Sequence, residues 1–127
     1  MTTVFFTGFP GFLGSELLPR ALARQSANVT ATCLVQPKFL AMAQARAREL
    51  ERATPALAGR IKIVDGDITR TDLGLGEAKE LKEETIEIFH LAAVYDLAVK
   101  YGLAMKVNLE GTRHLLGFAR ACPGTCR

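Results

Sequence analysis

Apolar and polar positions along this chain alternate between two periods, and the points where the period changes mark its elements. Val4-Phe5-Phe6-Thr7 is a short β-branched and aromatic run stopped by Gly8, after which Leu13, Leu17, Leu18, Ala21 and Leu22 recur at helical spacing. The segment reads strand, tight loop, helix. Pro19 falls inside the helical stretch, where a missing N–H and a ring clash cost about 3 kcal/mol, so a kink or a late helix start is expected. Val29 to Val35 is rich in β-formers without a helical stripe and closes at Pro37, giving strand two. Lys38 to Ala53 contains Ala, Leu, Met, Arg and Glu but no Gly or Pro, a helix-forming composition whose alternating charges read as a solvated face.

After the Thr54-Pro55 break, Arg60 to Val64 reads as strand three and runs into Asp65-Gly66-Asp67 and an irregular, glycine-containing stretch. Glu77 to Glu84 predicts a short polar helix, and Ile86 to Leu91 a fourth strand stopping at Ala92-Ala93. A last helix is expected from Leu103 to Ala121, with Val107, Leu115, Phe118 and Ala119 on one face and Gly111 between them. Strands that alternate with helices or crossovers call for an α/β, three-layer parallel sheet of Rossmann type. Right-handed crossovers outward to strands two and three and back to strand four give the order 3-2-1-4. Ligands of such sheets bind outside the carboxyl ends of the strands where the order reverses, here between strands one and four.

Composition narrows the class. With 127 residues, 49% of them hydrophobic, the chain is the size of one domain, and about two thirds of its surface is buried on folding. The net charge of +3 comes from 16 basic and 13 acidic residues scattered along the chain, whereas nucleic-acid binders concentrate theirs in a stripe, so no nucleic-acid partner is expected. The N-terminus has no basic segment before an apolar one, and no run approaches the roughly 18 apolar residues of a membrane span. A cytoplasmic protein without a membrane partner is the expectation. Three cysteines make an odd count that favours reduced thiols over a disulfide framework, with Cys33 packing as a small hydrophobe. Cys122 and Cys126 lack the second pair that a zinc site needs.

The chemistry concentrates in short motifs. Gly8, Gly11 and Gly14 space the loop Gly8-Phe9-Pro10-Gly11-Phe12-Leu13-Gly14 between a strand and a helix, where glycines permit a sharp turn, close approach to a pyrophosphate and tight helix packing. That context makes the whole loop a candidate nucleotide cradle. Gln36 sits about 20 positions further on, at the end of strand two, where a carboxylate selects NAD and a cation NADP. Gln36 does neither decisively, and Lys38, two residues on, could pair with a 2′-phosphate, so NADP is slightly favoured over NAD. Asp65-Gly66-Asp67-Ile68-Thr69 lacks the ligand series of a calcium loop; it reads either as an Asp-Gly turn or as a loop that lets Asp67 and Ile68 touch an adenine. In His90-Leu91-Ala92-Ala93 the small alanines would let a cofactor lie against backbone, and the lone His90 reads as a packing residue.

Together, Thr7 to Gly14, Gly66-Asp67-Ile68-Thr69, His90-Leu91-Ala92-Ala93 and Val107-Asn108-Leu109-Glu110-Gly111-Thr112 resemble, in order and spacing, the extended short-chain dehydrogenase/reductase family. Val35-Gln36-Pro37-Lys38 and His90 to Asp96 look most like its fatty acyl-CoA and thioester reductase branch, which in this half is similar to the NAD-dependent epimerase/dehydratase group. The resemblance implies that Gly8, Gly11 and Gly14 hold the pyrophosphate and that Asp67 and Ile68 meet the adenine. It assigns Leu91, Ala92 and Ala93 to the ribose and nicotinamide side, and makes Asn108 the helix asparagine that supports the active-site backbone. Where relatives often carry a basic residue, this chain has Gln36. The family's catalytic pair is a tyrosine followed four residues later by a lysine. Tyr95 and Lys100 are five apart, Tyr101 is followed at that spacing by Met105, and no catalytic residue is assigned.

The implied protein is the N-terminal, NAD(P)-binding portion of a reductase that acts in full length on acyl thioesters, an incomplete domain that alone binds nucleotide weakly and turns nothing over. The alternative is a nucleotide-binding sensor or interaction module that never needed chemistry; a downstream Tyr-x-x-x-Lys in the coding sequence separates the two. Strand four, without a fifth strand beside it, would be an apolar edge through which a homo-oligomer forms.

Overall fold

A computed structural model of the chain describes residues 2–93 and 100–125. Four parallel strands, β1 (Thr2–Thr7), β2 (Val29–Val35), β3 (Ile61–Asp65) and β4 (Thr85–His90), form one sheet in the order β3-β2-β1-β4. This is the expected 3-2-1-4 order. Helix α1 (Phe12–Ala23) connects β1 to β2, and α2 (Leu40–Ala53), entered through a 3-10 turn at Pro37–Phe39, connects β2 to β3. A loop and the short α3 (Lys79–Glu84) return the chain to β4, and α4 (Tyr101–Ala104) opens the last helical stretch.

The two faces of the sheet follow from the period of two along each strand. Val4 and Phe6 of β1 join Ala31, Cys33 and Val35 of β2 in a cluster covered by Leu18 and Leu22 of α1 and Ala43 and Ala47 of α2. Phe5 and Leu34, one residue out of phase, face the opposite cluster with Ile68, Leu73, Leu115, Phe118 and Cys122. Every residue of β2 is buried, as a parallel strand covered on both faces must be. Cys33 packs as the hydrophobe expected of it, and burial pushes its thiol far above the ordinary range, leaving it protonated. On the Phe5 face the buried threonines satisfy one another: the Thr3 hydroxyl lies 3.0 Å from the Thr30 carbonyl and 2.8 Å from the Thr32 hydroxyl.

Three local expectations change. Pro19 does not delay α1, which starts at Phe12 and continues through it to Ala23. Strand three begins at Ile61, because Arg60 serves as a clamp: its guanidinium donates to the carbonyls of Val29 at 2.9 Å, Leu22 at 3.2 Å and Ser26 at 3.1 Å. These contacts tie the end of α1 to the start of β2. The last helix is not uniform: α4 widens into a π-helical segment, Met105–Glu110, before α5 (Gly111–Arg120) resumes the α-geometry. Leu103, Val107, Gly111 and Leu115 fall four apart, a row that drifts around a helix of about 3.6 residues per turn. The wider i→i+5 turns bring it back toward one face. Gly111 lets that row pack closely on Ile68, since a Cβ there would stand 2.7 Å from Ile68 Cδ1 and the isoleucine side chain would have to shift.

Candidate functional site

The carboxyl ends of the strands and the loops that leave them enclose a cavity of about 710 Å³. Of the residues singled out in the sequence, Gly8, Phe9, Pro10, Gly11, Phe12, Leu13, Gln36, Lys38, Asp67, Ile68, Leu91, Ala92 and Ala93 all line it. Gly14 and Asn108 do not. The cavity also takes in Thr7, Gly66 and Val107, which the sequence motifs contain without a site role, and Phe39, Met42 and Leu103, to which sequence reasoning gave none. Thr7 was detectable as the polar residue at the exact end of an apolar strand; Phe39, Met42 and Leu103 carried no signal beyond ordinary helical apolarity.

The glycine loop is built by backbone crowding. Gly8 adopts φ +89°, and a Cβ there would lie 2.6 Å from the Leu91 carbonyl carbon and 2.9 Å from the Ala92 nitrogen. Side chains at Gly11 and Gly14 would each come within 2.7 Å of the Gly8 carbonyl oxygen, to which the Gly11 N–H donates at 2.9 Å. Gly14 thus serves the helix–loop contact from behind the cavity wall. The Phe9–Pro10 peptide is cis, and Phe9 itself is buried in the first core cluster. Phe12 and Leu13, by contrast, are exposed at the cavity mouth, 78% and 57% accessible. Helix α1 begins here with no acidic residue in its first turn and no side-chain cap. Its unsatisfied N–H groups and positive dipole end are therefore left for an anion.

Around the end of β2 and β3 the polar groups are partly committed to one another. Asp67 Oδ1 accepts from the Thr69 N–H at 2.9 Å and the Thr69 hydroxyl at 2.8 Å. Burial alone would raise the Asp67 pKa, but these bonds, one from the Gln36 side chain and the charge of Arg70 together hold it below the usual value. Asp67 is thus ionised at neutral pH. A Cβ on Gly66 would overlap the Leu34 side chain and the Leu73 carbonyl, so the Asp-Gly turn is obligatory for packing as well as for placing Asp67 and Ile68 at the cavity. Lys38 is exposed and sits with its ammonium 5.0 Å from the centre of the Phe39 ring.

At the other end, Thr7 and His90 join β1 to β4. The Thr7 hydroxyl lies 2.7 Å from His90 Nδ1 and accepts from the backbone N–H groups of Leu91 at 3.1 Å and Ala92 at 3.2 Å. His90 Nε2 lies 3.0 Å from the Thr112 hydroxyl of α5. His90 is therefore a partnered residue of the packing, and burial lowers its pKa below the ordinary imidazole value. Asn108 lies in the π-helical segment with its side chain exposed. Val94, Tyr95, Asp96 and Cys126 lie outside the described residues. Among the described residues no three His, Cys, Asp or Glu side chains converge as a metal site requires, and no helix is long and apolar enough to cross a membrane.

A parallel sheet of this order, with a glycine loop pressed against the backbone beyond β4 and an uncapped helix start facing the crevice, defines a Rossmann-type nicotinamide-dinucleotide-binding domain. The profile of the family described as male sterility protein, an NAD-binding family, matches residues 6–126. The chain belongs to that family. It is 30% identical, over 92% of its length, both to the glycine betaine reductase ATRR of Emericella nidulans and to fatty acyl-CoA reductase 1 of Gallus gallus, and spans 10% and 25% of those proteins. Among solved structures it superposes on the terminal R domain of the myxalamid PKS-NRPS pathway with a TM-score of 0.77 and 32% identity, covering 100% of this chain and 33% of that one. The R domain of a nonribosomal peptide synthetase from Mycobacterium tuberculosis matches with a TM-score of 0.73 and 29% identity over 94% of this chain and 30% of its own. The chain thus spans a minor part of each relative, and the resemblance to the thioester reductase branch is carried by relatives of that kind.

Proposed function

We propose that this chain is the cofactor-binding portion of a reductase that delivers hydride from a nicotinamide dinucleotide to an acyl thioester. The observation that carries the reading is the glycine loop, in which three positions lack room for a Cβ and the uncapped start of α1 faces the same cavity. In this reading the loop from Gly8 to Gly14 cradles the pyrophosphate, Asp67 and Ile68 meet the adenine, and Leu91, Ala92 and Ala93 underlie the ribose and nicotinamide. Asn108, outside the cavity lining, supports the neighbouring backbone rather than touching the cofactor. The bound dinucleotide would supply the hydride; the residues here bind and orient it. Titration with NADPH and NADH by calorimetry should give saturable binding of at least one, with no turnover of an acyl thioester by the 127-residue chain. Absence of binding to either, or measurable turnover, would refute the respective half of this reading.

NADP is the favoured cofactor. Gln36 donates to Asp67 and presents no carboxylate of its own to a ribose 2′-phosphate, while the exposed Lys38 at the same cavity wall, its ammonium over the Phe39 ring, supplies a positive charge to pair with it. Lys38→Ala should weaken NADPH by about tenfold, the equivalent of one charge-assisted hydrogen bond, and leave NADH within twofold of wild type, ~0.4 kcal/mol. Equal losses for both nucleotides would remove Lys38 from any role in the choice.

The outer edge of β4 gives a second expectation. Ile86 on that edge is 36% exposed and Leu116 of α5 beside it 56% exposed, forming a groove that a further strand would cover. A second copy of this chain is proposed to pair there. Light scattering should show a mass that rises with concentration and falls for Ile86→Lys; a monodisperse monomer at high concentration would overturn the pairing.

A further inference from the structure

The hydrogen bonds at the end of β4 favour one arrangement of protons. A hydroxyl donates once and accepts twice. The Thr7 hydroxyl oxygen accepts from the N–H of Ala92 and from that of Leu91, which it shares with the Thr7 carbonyl at 3.3 Å, and this directs its own proton to His90 Nδ1. Nδ1 is then an acceptor, and the neutral imidazole must carry its proton on Nε2. Nε2–H faces the Thr112 hydroxyl at 3.0 Å, and that hydroxyl in turn donates to the Asn108 carbonyl at 2.9 Å. Five groups are thus wired head to tail, from the backbone at Leu91 and Ala92, through Thr7 and His90, to the π-helical segment. The same Leu91–Ala92 backbone is the surface against which Gly8 is pressed without room for a Cβ.

We propose that His90 is a positioning residue, held as the Nε2–H tautomer, which locks the Leu91–Ala93 floor of the cavity to the glycine loop and couples it through Thr112 to the segment carrying Asn108. It touches no cofactor itself; it acts by fixing the floor. The proposal deepens the dinucleotide reading and rests on it for its binding consequence, while the tautomer can be tested without any ligand. An imidazolium is disfavoured, because a proton on Nδ1 would compete with the Leu91 and Ala92 N–H groups for the Thr7 hydroxyl oxygen, and burial opposes the charge. The ring's described partners are Thr7 on β1 and Thr112 on α5, and burial is the cause of its lowered pKa, with no charged side chain contributing.

The test has two arms. In the first, ¹⁵N NMR of the imidazole in the wild-type 127-residue chain at pH 7.5 should show Nε2 protonated and Nδ1 unprotonated; an Nδ1–H tautomer or an imidazolium would overturn the wiring. In the second, the tighter-binding of NADPH and NADH is compared with adenosine, which lacks the pyrophosphate and nicotinamide parts and in this reading meets only Asp67 and Ile68. Thr112→Val and His90→Phe should weaken the dinucleotide by about fivefold, the loss of one neutral hydrogen bond, and leave adenosine unchanged. His90→Asn, which can still accept from Thr7, should restore part of the loss relative to His90→Phe. Equal losses for dinucleotide and adenosine, or no loss with Thr112→Val, would overturn the positioning role. A wild-type chain that binds neither dinucleotide sinks the cofactor reading and with it the binding consequence, and leaves the NMR arm to decide the wiring. Should a variant fail to fold, the NMR arm on the wild type still decides that wiring.

Discussion

Gly8→Ala should reduce dinucleotide affinity by more than about 100-fold, ~2.7 kcal/mol or more, and lower the stability of the chain by about 2–4 kcal/mol. Two costs combine. At φ +89° an alanine is strained, and its Cβ would meet the Leu91 carbonyl carbon at 2.6 Å and the Ala92 nitrogen at 2.9 Å. Neither atom belongs to a flexible side chain that could swing away. The Leu91 and Ala92 amides are held by the Thr7 hydroxyl, so the loop and the floor must separate along the line on which a pyrophosphate would lie. Gly59→Ala is the matched control: its φ is +73°, but a Cβ there meets nothing within 4 Å. It should cost about 1 kcal/mol of conformational strain and leave affinity unchanged. Isothermal titration and urea unfolding of both variants separate the effects. Parallel behaviour of the two would show that backbone strain, and not the closeness of loop and floor, governs the Gly8 position.

The contrast between these glycines shows which parts of the molecule sequence reading could reach. Strand order and the placement of the glycine loop follow from local periodicity and one chirality rule, and they survive intact. That reading singled out Gly8 by its motif but not the contact that makes it irreplaceable, because what presses on Gly8 and not on Gly59 is a segment more than eighty residues further along the chain. The same holds for Arg60, which looked like the first residue of a strand and instead gathers three carbonyls, one each from α1, the turn after it and the start of β2. His90 was correctly read as a packing residue, yet its partners Thr7 and Thr112 lie 83 and 22 positions away. The π-helical turns of Met105–Glu110 escaped for a different reason: a row of residues four apart was visible, but an amphipathic α-helix tolerates such a row over short lengths. At the cavity, Phe39, Met42 and Leu103 are ordinary helix formers until the fold turns them toward the same crevice.

Phe5→Ala should cost about 3–5 kcal/mol, a large share of the roughly 5–15 kcal/mol that holds a domain of this size together. Phe5 is fully buried in β1, pairs in register with Thr32 of β2 and Ile88 of β4, and sets its ring 4.8 Å from that of Phe118. Truncation leaves a void under α5 that strands paired on both sides cannot close. Phe118→Ala alone should be less costly, because Phe118 sits on a helix free to settle toward the gap. A double-mutant cycle should return a coupling of about 0.5–1.5 kcal/mol for the ring pair. Urea unfolding with an unchanged m-value is the measurement; a loss under about 1 kcal/mol would mean that this face of the sheet is not packed as described. Function supplies a further discriminator. Phe5 lies outside the cavity lining, so folded Phe5→Ala protein should bind dinucleotide with wild-type affinity. Ligand at 100 times its Kd should then return about 2.7 kcal/mol of stability to wild type and variant alike. Gly8→Ala protein, destabilised to a similar degree, should gain almost nothing from the same addition, because its defect lies in the site itself.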